Sequence, residues 1–221
     1  MDTAIESASL CLAKDGKAVG FVSNPSRADH AGWLQPAIKN LFEEHSFLLK
    51  DLDAIAVSAG PGSYTGLRVG MATAKGLCFT LQKPLIFVNT LQMMASGAIR
   101  EDADLLCPMI DARRMEVFTA IYNKALNELV APHNCILSGE SFSSLLINRI
   151  VFFGNGSTKF KQLVFHPNAI FVQLNSTAEQ MISLSYKNFQ EQQFVDVAYC
   201  TPFYGKEFYS PGVELLSTYR C

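Results

Sequence analysis

The stretch Ser58-Ala59-Gly60-Pro61-Gly62-Ser63-Tyr64-Thr65-Gly66-Leu67-Arg68-Val69-Gly70 holds the residue types in this sequence best suited to chemistry. A glycine turn between a strand and a helix lets backbone N–H groups approach an anion, the device of P-loops and dinucleotide-binding folds. No Gly-Lys-Ser/Thr closes this turn, so the lysine of a P-loop is missing, and no GxSxG makes a nucleophile elbow. Gly60-x-Gly62 imitates a dinucleotide fingerprint, but it follows an internal strand, and the next strand ends at Asn89 rather than at an acid able to hold a ribose. Gly60, Pro61, Gly62 and Ser63 are therefore read as a structural turn. What the stretch can do is pack. Gly62, Gly66, Gly70, Ala74 and Cys78 recur at i, i+4, which leaves one helix edge almost bare of side chains. Each interior glycine costs up to about 1 kcal/mol relative to alanine, and close approach of another backbone is the natural compensation. That backbone belongs either to the chain's own lobe or to a helix of another subunit.

The remaining candidates are sparse. His30, His45, His133 and His166 stand apart with no HExxH or other ligand spacing, so no metal site is read. His30, beside Asp29 at a helix start, reads as a cap or surface residue; Trp33 reads equally as an interface anchor or as core. Glu43, Glu44 and Glu191 read as solvated faces, and no two carboxylates are spaced for acid–base work. The six cysteines lie far apart, without CxxC or zinc spacing and without a secretory leader, and read as free thiols in a reducing compartment. No apolar run approaches the ~20 residues of a membrane span. The expectation is a soluble cytoplasmic protein with no cofactor.

The elements that must position these residues follow from periodicity. Lys14-Asp15-Gly16-Lys17 between two strand-like runs marks a hairpin. Residues 29–45 carry apolar positions at helical spacing, with Pro36 in the first turn or kinking the helix. A strand at 54–58, a helix at 66–81, a strand at 84–88 and a helix at 90–99 complete a first half. The second half opens with strands at 105–111 and 116–122, then a helix at 140–147, strands at 150–153 and 169–172, and a helix at 177–190. Hairpins mixed with alternating strands and helices predict α/β layers on mixed sheets, in two lobes, 1–102 and 103–221, the second the smaller. The formal net charge of −2 gives no global attraction for nucleic acid, and the pairs Arg113-Arg114 and Lys159/Lys161 are too small for a basic stripe.

The residues from Ser58 to Leu77 resemble the signature of the TsaB (YeaZ) family, and the likeness covers most of the chain. Asp2-Thr3-Ala4 with Ser7, Asp29-His30 with Leu34 and Pro36, and Ile110-Asp111-Ala112-Arg113-Arg114 with Glu116-Val117-Phe118 resemble further family motifs. Gly154-Asn155-Gly156-Ser157 and Pro202-Phe203-Tyr204-Gly205-Lys206 have counterparts too. The resemblance implies two ribonuclease-H-like lobes of the actin-like, sugar-kinase and Hsp70 fold. It also implies a non-catalytic dimerisation and scaffold subunit. Such a subunit works with the TsaD transferase and the TsaE ATPase, which place threonylcarbamoyl on adenosine 37 of tRNA, and meets tRNA only within that complex. By this resemblance His30, Trp33, Leu34, Ile38, Gly66, Leu67, Gly70, Met71 and Ala74 would pair with the matching helices of TsaD or of a second copy.

The residues agree with a non-catalytic role. Where phosphate loops of actin-like ATPases carry glycines, this chain has Asp2-Thr3-Ala4-Ile5-Glu6 and Asp111-Ala112-Arg113-Arg114. The competing reading is an actin-like ATPase or phosphotransferase using the cleft between lobes; a metalloprotease reading lacks ligands. Two departures from the family stand out. Its members carry an apolar strand ahead of the DTA motif, whereas this chain opens at Met1-Asp2, so either the natural start lies upstream or the first lobe lacks most of a central strand. The Ser210-Pro211-Gly212 turn is unusual for the family, and the tail could return to the first lobe.

Overall fold

A computed structural model describes residues 1–24, 26, 29–205 and 219–220. The chain forms two compact units, Met1–Met93 with Thr177–Phe203, and Met94–Ser176 with the described residues after Phe203. The first unit therefore gives up the stretch 94–102 expected in it and regains a segment expected in the second. Thr177 caps a 3-10 turn that leads into a helix at Ile182–Gln190, and an antiparallel bridge from Val195 to Leu85 fastens the returning segment.

In the first unit, β1 (Ser9–Lys14) and β2 (Lys17–Ser23) form the expected hairpin, with Asp15 and Gly16 both at positive φ in the turn. Helix α1 (His30–Glu44) is capped by Asp29, whose carboxylate accepts from Gly32 N at 3.0 Å. Pro36 sits inside it on the exposed face. Leu34, Ala37, Ile38 and Leu41 bury against Leu10 and Leu12 of the hairpin. Then follow β3 (Ile55–Ser58), α2 (Tyr64–Leu81), β4 (Leu85–Val88) and α3 (Thr90–Gly97). β3 and β4 pair in parallel as a second two-stranded sheet, as the short apolar runs and intervening helix require. Residues 1 and 2 stitch the two sheets together: Met1 bonds Ala56 and Ser58, and Asp2 bonds Ser9.

The second unit is built on one mixed sheet. β5 (Leu105–Asp111), β6 (Glu116–Asn123) and β7 (Glu128–Ile136) run antiparallel, and β8 (Ile150–Phe153) and β9 (Ala169–Phe171) add in parallel beyond β5. β10 (Tyr219–Arg220) pairs with β7 at the other edge. Helix α4 (Ser157–Lys161) follows the Gly154 turn, and α5 (Ile182–Gln190) belongs to the first unit. β7 has no counterpart in the sequence reading, because Pro132-His133-Asn134 masks its period. The helix expected at 140–147 is a single 3-10 turn, Ser143–Leu145, entered through Phe142 in a left-handed conformation. Phe142, Phe152 and Phe160 meet edge to face at 4.9–5.6 Å in the core of this unit.

Cys11, Cys78, Cys107 and Cys200 are free thiols. Cys135 is disulfide-bonded, which corrects the reading of every cysteine as free. Among the described residues no helix is long and apolar enough to cross a membrane. Lys206 and the Ser210-Pro211-Gly212 turn lie outside the described residues.

Candidate functional site

Ser63 caps α2, its Oγ accepting from Gly66 N at 3.3 Å, while its own N–H donates to Ala4 O at 2.7 Å. Those bonds lay the bare helix edge directly on residues 1–4. A Cβ on Gly62 would run into Ala4 O, one on Gly66 into Thr3 O, and one on Gly70 into Thr3 Oγ1. Thr3, fully buried, donates its hydroxyl to Gly66 O at 2.7 Å. Gly60, at φ 103, meets the carbonyl of Phe203 in the same close way, and Phe203 N donates to Ala59 O at 2.7 Å. The close approach that two helical glycines demand is thus made within the first unit.

The edge expected to pair with a helix of another subunit is packed within its own unit. Gly66, Leu67, Gly70, Met71 and Ala74 are buried in their own unit, Gly66 and Gly70 directly against Thr3. Leu34 and Ile38 are likewise core of the first unit. Of the residues read as partner-binding, His30 and Trp33 alone keep partial exposure; His30 Nδ1 lies 3.5 Å from Asn24 Nδ2 and Trp33 leans on the α1 core. Gly60, Pro61, Gly62 and Ser63 form the structural turn that the sequence predicts.

The outer face of α2 carries a second stripe that the sequence reading missed. Thr65, Arg68, Ala72, Gly76 and Phe79 are exposed at spacings of three and four, and Phe79 is 75% exposed. A Cβ on Gly76 would meet nothing within 4 Å, so its helix cost has no compensation inside the unit. Arg68 stands 4.0 Å over the Tyr64 ring, and Gln35 Nε2 donates to Thr73 Oγ1 at 3.1 Å, tying α1 to this edge. Alternating buried and exposed small residues on one helix was the signal available: Gly66-Gly70-Ala74 for the inner edge, Ala72-Gly76 for the outer.

The two turns that stand where phosphate loops would be spend their amides internally. Asp2 Oδ1 accepts from Ala4 N at 2.9 Å and from Ser58 Oγ at 2.6 Å, and burial pushes its carboxyl pKa up. In the second unit Asp111 Oδ1 accepts from Arg113 N at 2.6 Å and from Lys159 Nζ at 2.8 Å, while Asn155 Oδ1 takes Asp111 N at 2.8 Å. Arg113 and Arg114 both adopt positive φ without being glycine. Each turn thus offers an anion a carboxylate and an engaged N–H. Among the described residues no group of three or more His, Cys, Asp or Glu could hold a metal ion.

Comparison with known proteins places this geometry. The family model described as TsaD, tRNA N6-adenosine threonylcarbamoyltransferase, matches residues 10–209. The tRNA threonylcarbamoyladenosine biosynthesis protein TsaB of Bacillus subtilis (strain 168) is 28% identical over 170 residues, which are 74% of this chain and 73% of that protein. The TsaB of Escherichia coli (strain K12) is 34% identical over 152 residues, 68% of this chain and 62% of that protein. The solved structure of YeaZ from Pseudomonas aeruginosa superposes with a TM-score of 0.76 at 28% identity, covering 92% of this chain and 96% of that one.

Proposed function

This chain belongs to the TsaB (YeaZ) family of tRNA threonylcarbamoyladenosine biosynthesis proteins, and from that premise we propose that it is a scaffold subunit without catalysis of its own. Its partner is a TsaD-type transferase, with the TsaE ATPase as a third component, acting in the cytoplasm on adenosine 37 of tRNA. The observation that carries this reading is the outer stripe of α2. Ala72 and Gly76 open a shallow strip on which another helix can lie closely, with Phe79 and Arg68 at its ends as anchors. A second copy of this chain can use the same strip, which makes a homodimer the alternative occupant. The bare inner edge serves the fold and leaves this outer strip to the partner.

The ATPase or phosphotransferase reading gains no support from the two aspartate turns, whose N–H groups are engaged by their own carboxylates. The test is Gly76→Arg in the purified chain mixed with the TsaD of the same organism. Urea unfolding of the single chain should show a midpoint no lower than that of the parent, sedimentation a heterodimer weakened at least about tenfold, and the reconstituted enzyme a loss of tRNA modification. Normal pairing by Gly76→Arg would remove the strip from the interface, and turnover of ATP by the isolated chain would remove the scaffold reading.

A further inference from the structure

The outer strip of α2 runs between two walls, both in the first unit. At about 100° per residue, Thr73 and Lys75 stand about 80° to opposite sides of the line from Ala72 to Gly76. On the Thr73 side lies α1. Gln35 Nε2 donates to Thr73 Oγ1 at 3.1 Å, and Val69 and Leu77 of α2 pack on the core that Leu34 and Ile38 of α1 help to build. On the Lys75 side lies the returning segment. Lys75 Nζ donates to Ala198 O at 3.2 Å and to Cys200 O at 3.1 Å. Val197 and Cys200 pack on the cluster that includes Met71, Ala74 and Cys78 of α2. The strip is therefore the floor of a trough.

The second wall is stiff and carries an aromatic ring. Asp196 Oδ1 accepts from Ala198 N at 2.7 Å and from Tyr199 N at 3.4 Å, and Cys200 N donates to Asp196 O at 2.9 Å. Val197 and Cys200 turn inward, while Tyr199 turns outward and is 85% exposed. A ring on a fixed backbone loses little conformational freedom on contact, which suits it to anchor an interface. Phe79, one turn beyond Lys75, is exposed on the same side of the floor. The first wall is polar by contrast: Gln35 and, a turn on, Lys39 are exposed along α1.

We propose that residues 196–200 complete the partner site, with Tyr199 gripping the partner helix from the Lys75 side and Lys75 positioning Tyr199, an inference that rests on the outer strip taking a helix. The ring wall is continuous with the strip, so its occupant is the strip's own, the TsaD-type subunit. The unlike walls define what that subunit brings. Its helix carries small residues where it crosses Gly76, apolar side chains toward Phe79 and Tyr199, and polar ones toward Gln35. The walls also fix the rotation of that helix about its axis, since the reverse would set its polar edge against two aromatic rings.

The experiment measures by sedimentation how tightly the 221-residue chain pairs with the TsaD of the same organism. Tyr199→Ala should weaken the heterodimer about tenfold and leave the urea midpoint of the single chain unchanged. Tyr199→Phe, which keeps the ring, should pair as the parent does. Lys75→Met should weaken pairing too, and adding Tyr199→Ala to it should cost little more, because the ring is already misplaced. Additive losses overturn the positioning role of Lys75. Parent affinity for Tyr199→Ala, while Gly76→Arg fails to pair, overturns the second wall and leaves the strip standing. Parent affinity for both variants overturns the strip together with its wall. A Tyr199→Ala chain weakened only in its homodimer assigns the ring to a second copy and overturns the choice of occupant.

Discussion

Replacing Gly66 and Gly76 by alanine, one at a time, sets the same substitution in two surroundings on one helix. Alanine is favoured over glycine inside a helix by about 0.5–1 kcal/mol. At Gly76 nothing lies within 4 Å of the new Cβ, so Gly76→Ala should stabilise by that whole amount. At Gly66 the Cβ points into the carbonyl oxygen of Thr3, and the Thr3 hydroxyl holds the same residue in place through its 2.7 Å bond to Gly66 O. Overpacking of this kind costs about 1–3 kcal/mol, and straining the hydrogen bond about 1 kcal/mol more. After the helix gain is subtracted, Gly66→Ala should destabilise by roughly 1–3 kcal/mol. Urea unfolding followed by circular dichroism reads both: the midpoint should rise slightly for Gly76→Ala and fall by about 1 M for Gly66→Ala. A rise for both would mean that the inner edge does not rest on residues 1–4, and the assignment of the outer strip would lose its basis.

Other outcomes follow from the same contacts. Ser58→Ala removes the 2.6 Å bond to the buried Asp2 carboxyl and should cost about 1–2 kcal/mol in the same urea assay. Lys159→Met should raise the Asp111 pKa in a carbon-detected titration: partial burial already acts to raise it, and it is the Lys159 bond and the Arg113 N–H that hold it below the usual carboxylate range. Burial pushes the Cys107 thiol up to about 12 from an ordinary 9.0, against a weaker opposing hydrogen bond with Thr119. A raised folded pKa contributes stability that is complete below the unfolded value and is lost as pH climbs through the folded one, so the midpoint should hold to about pH 9 and decline above it. Cys107→Ala should flatten that decline; an equal slope in the variant would show that the thiol does not couple to folding.

The hairpin, the glycine turn and both long helices of the first unit were legible because their periods are local, while the caps Asp29 and Ser63 start the helices at His30 and Tyr64 rather than at 29 and 66. The bare edge was legible as a close approach, but what approaches it was not. Residues 1–4 carry no period, and small residues at i, i+4 say only that a backbone comes near. The return of Thr177–Phe203 to the first unit rests on the Leu85–Val195 bridge and on Ala178 N donating to Ser9 Oγ at 2.9 Å, contacts too distant in sequence to be read from pattern. β7 was hidden by its Pro-His-Asn interior, and the 140–147 helix failed where Phe142 enters the left-handed region. The outer strip, Ala72 and Gly76, keeps the same i, i+4 spacing two residues out of step with the inner repeat, and burial told the two apart.

That return also sets an order on synthesis. The first unit joins Met1–Met93 to Thr177–Phe203, so its amino-terminal portion emerges from the ribosome long before Phe203, whose backbone clasps Ala59 beside the glycine turn. The intervening unit is contiguous apart from its final residues and leaves the exit tunnel earlier than the clasp. A nascent chain stalled at residue 176 would therefore display an unfinished amino-terminal body. Proteases acting on arrested chains should cut first in the segment translated first.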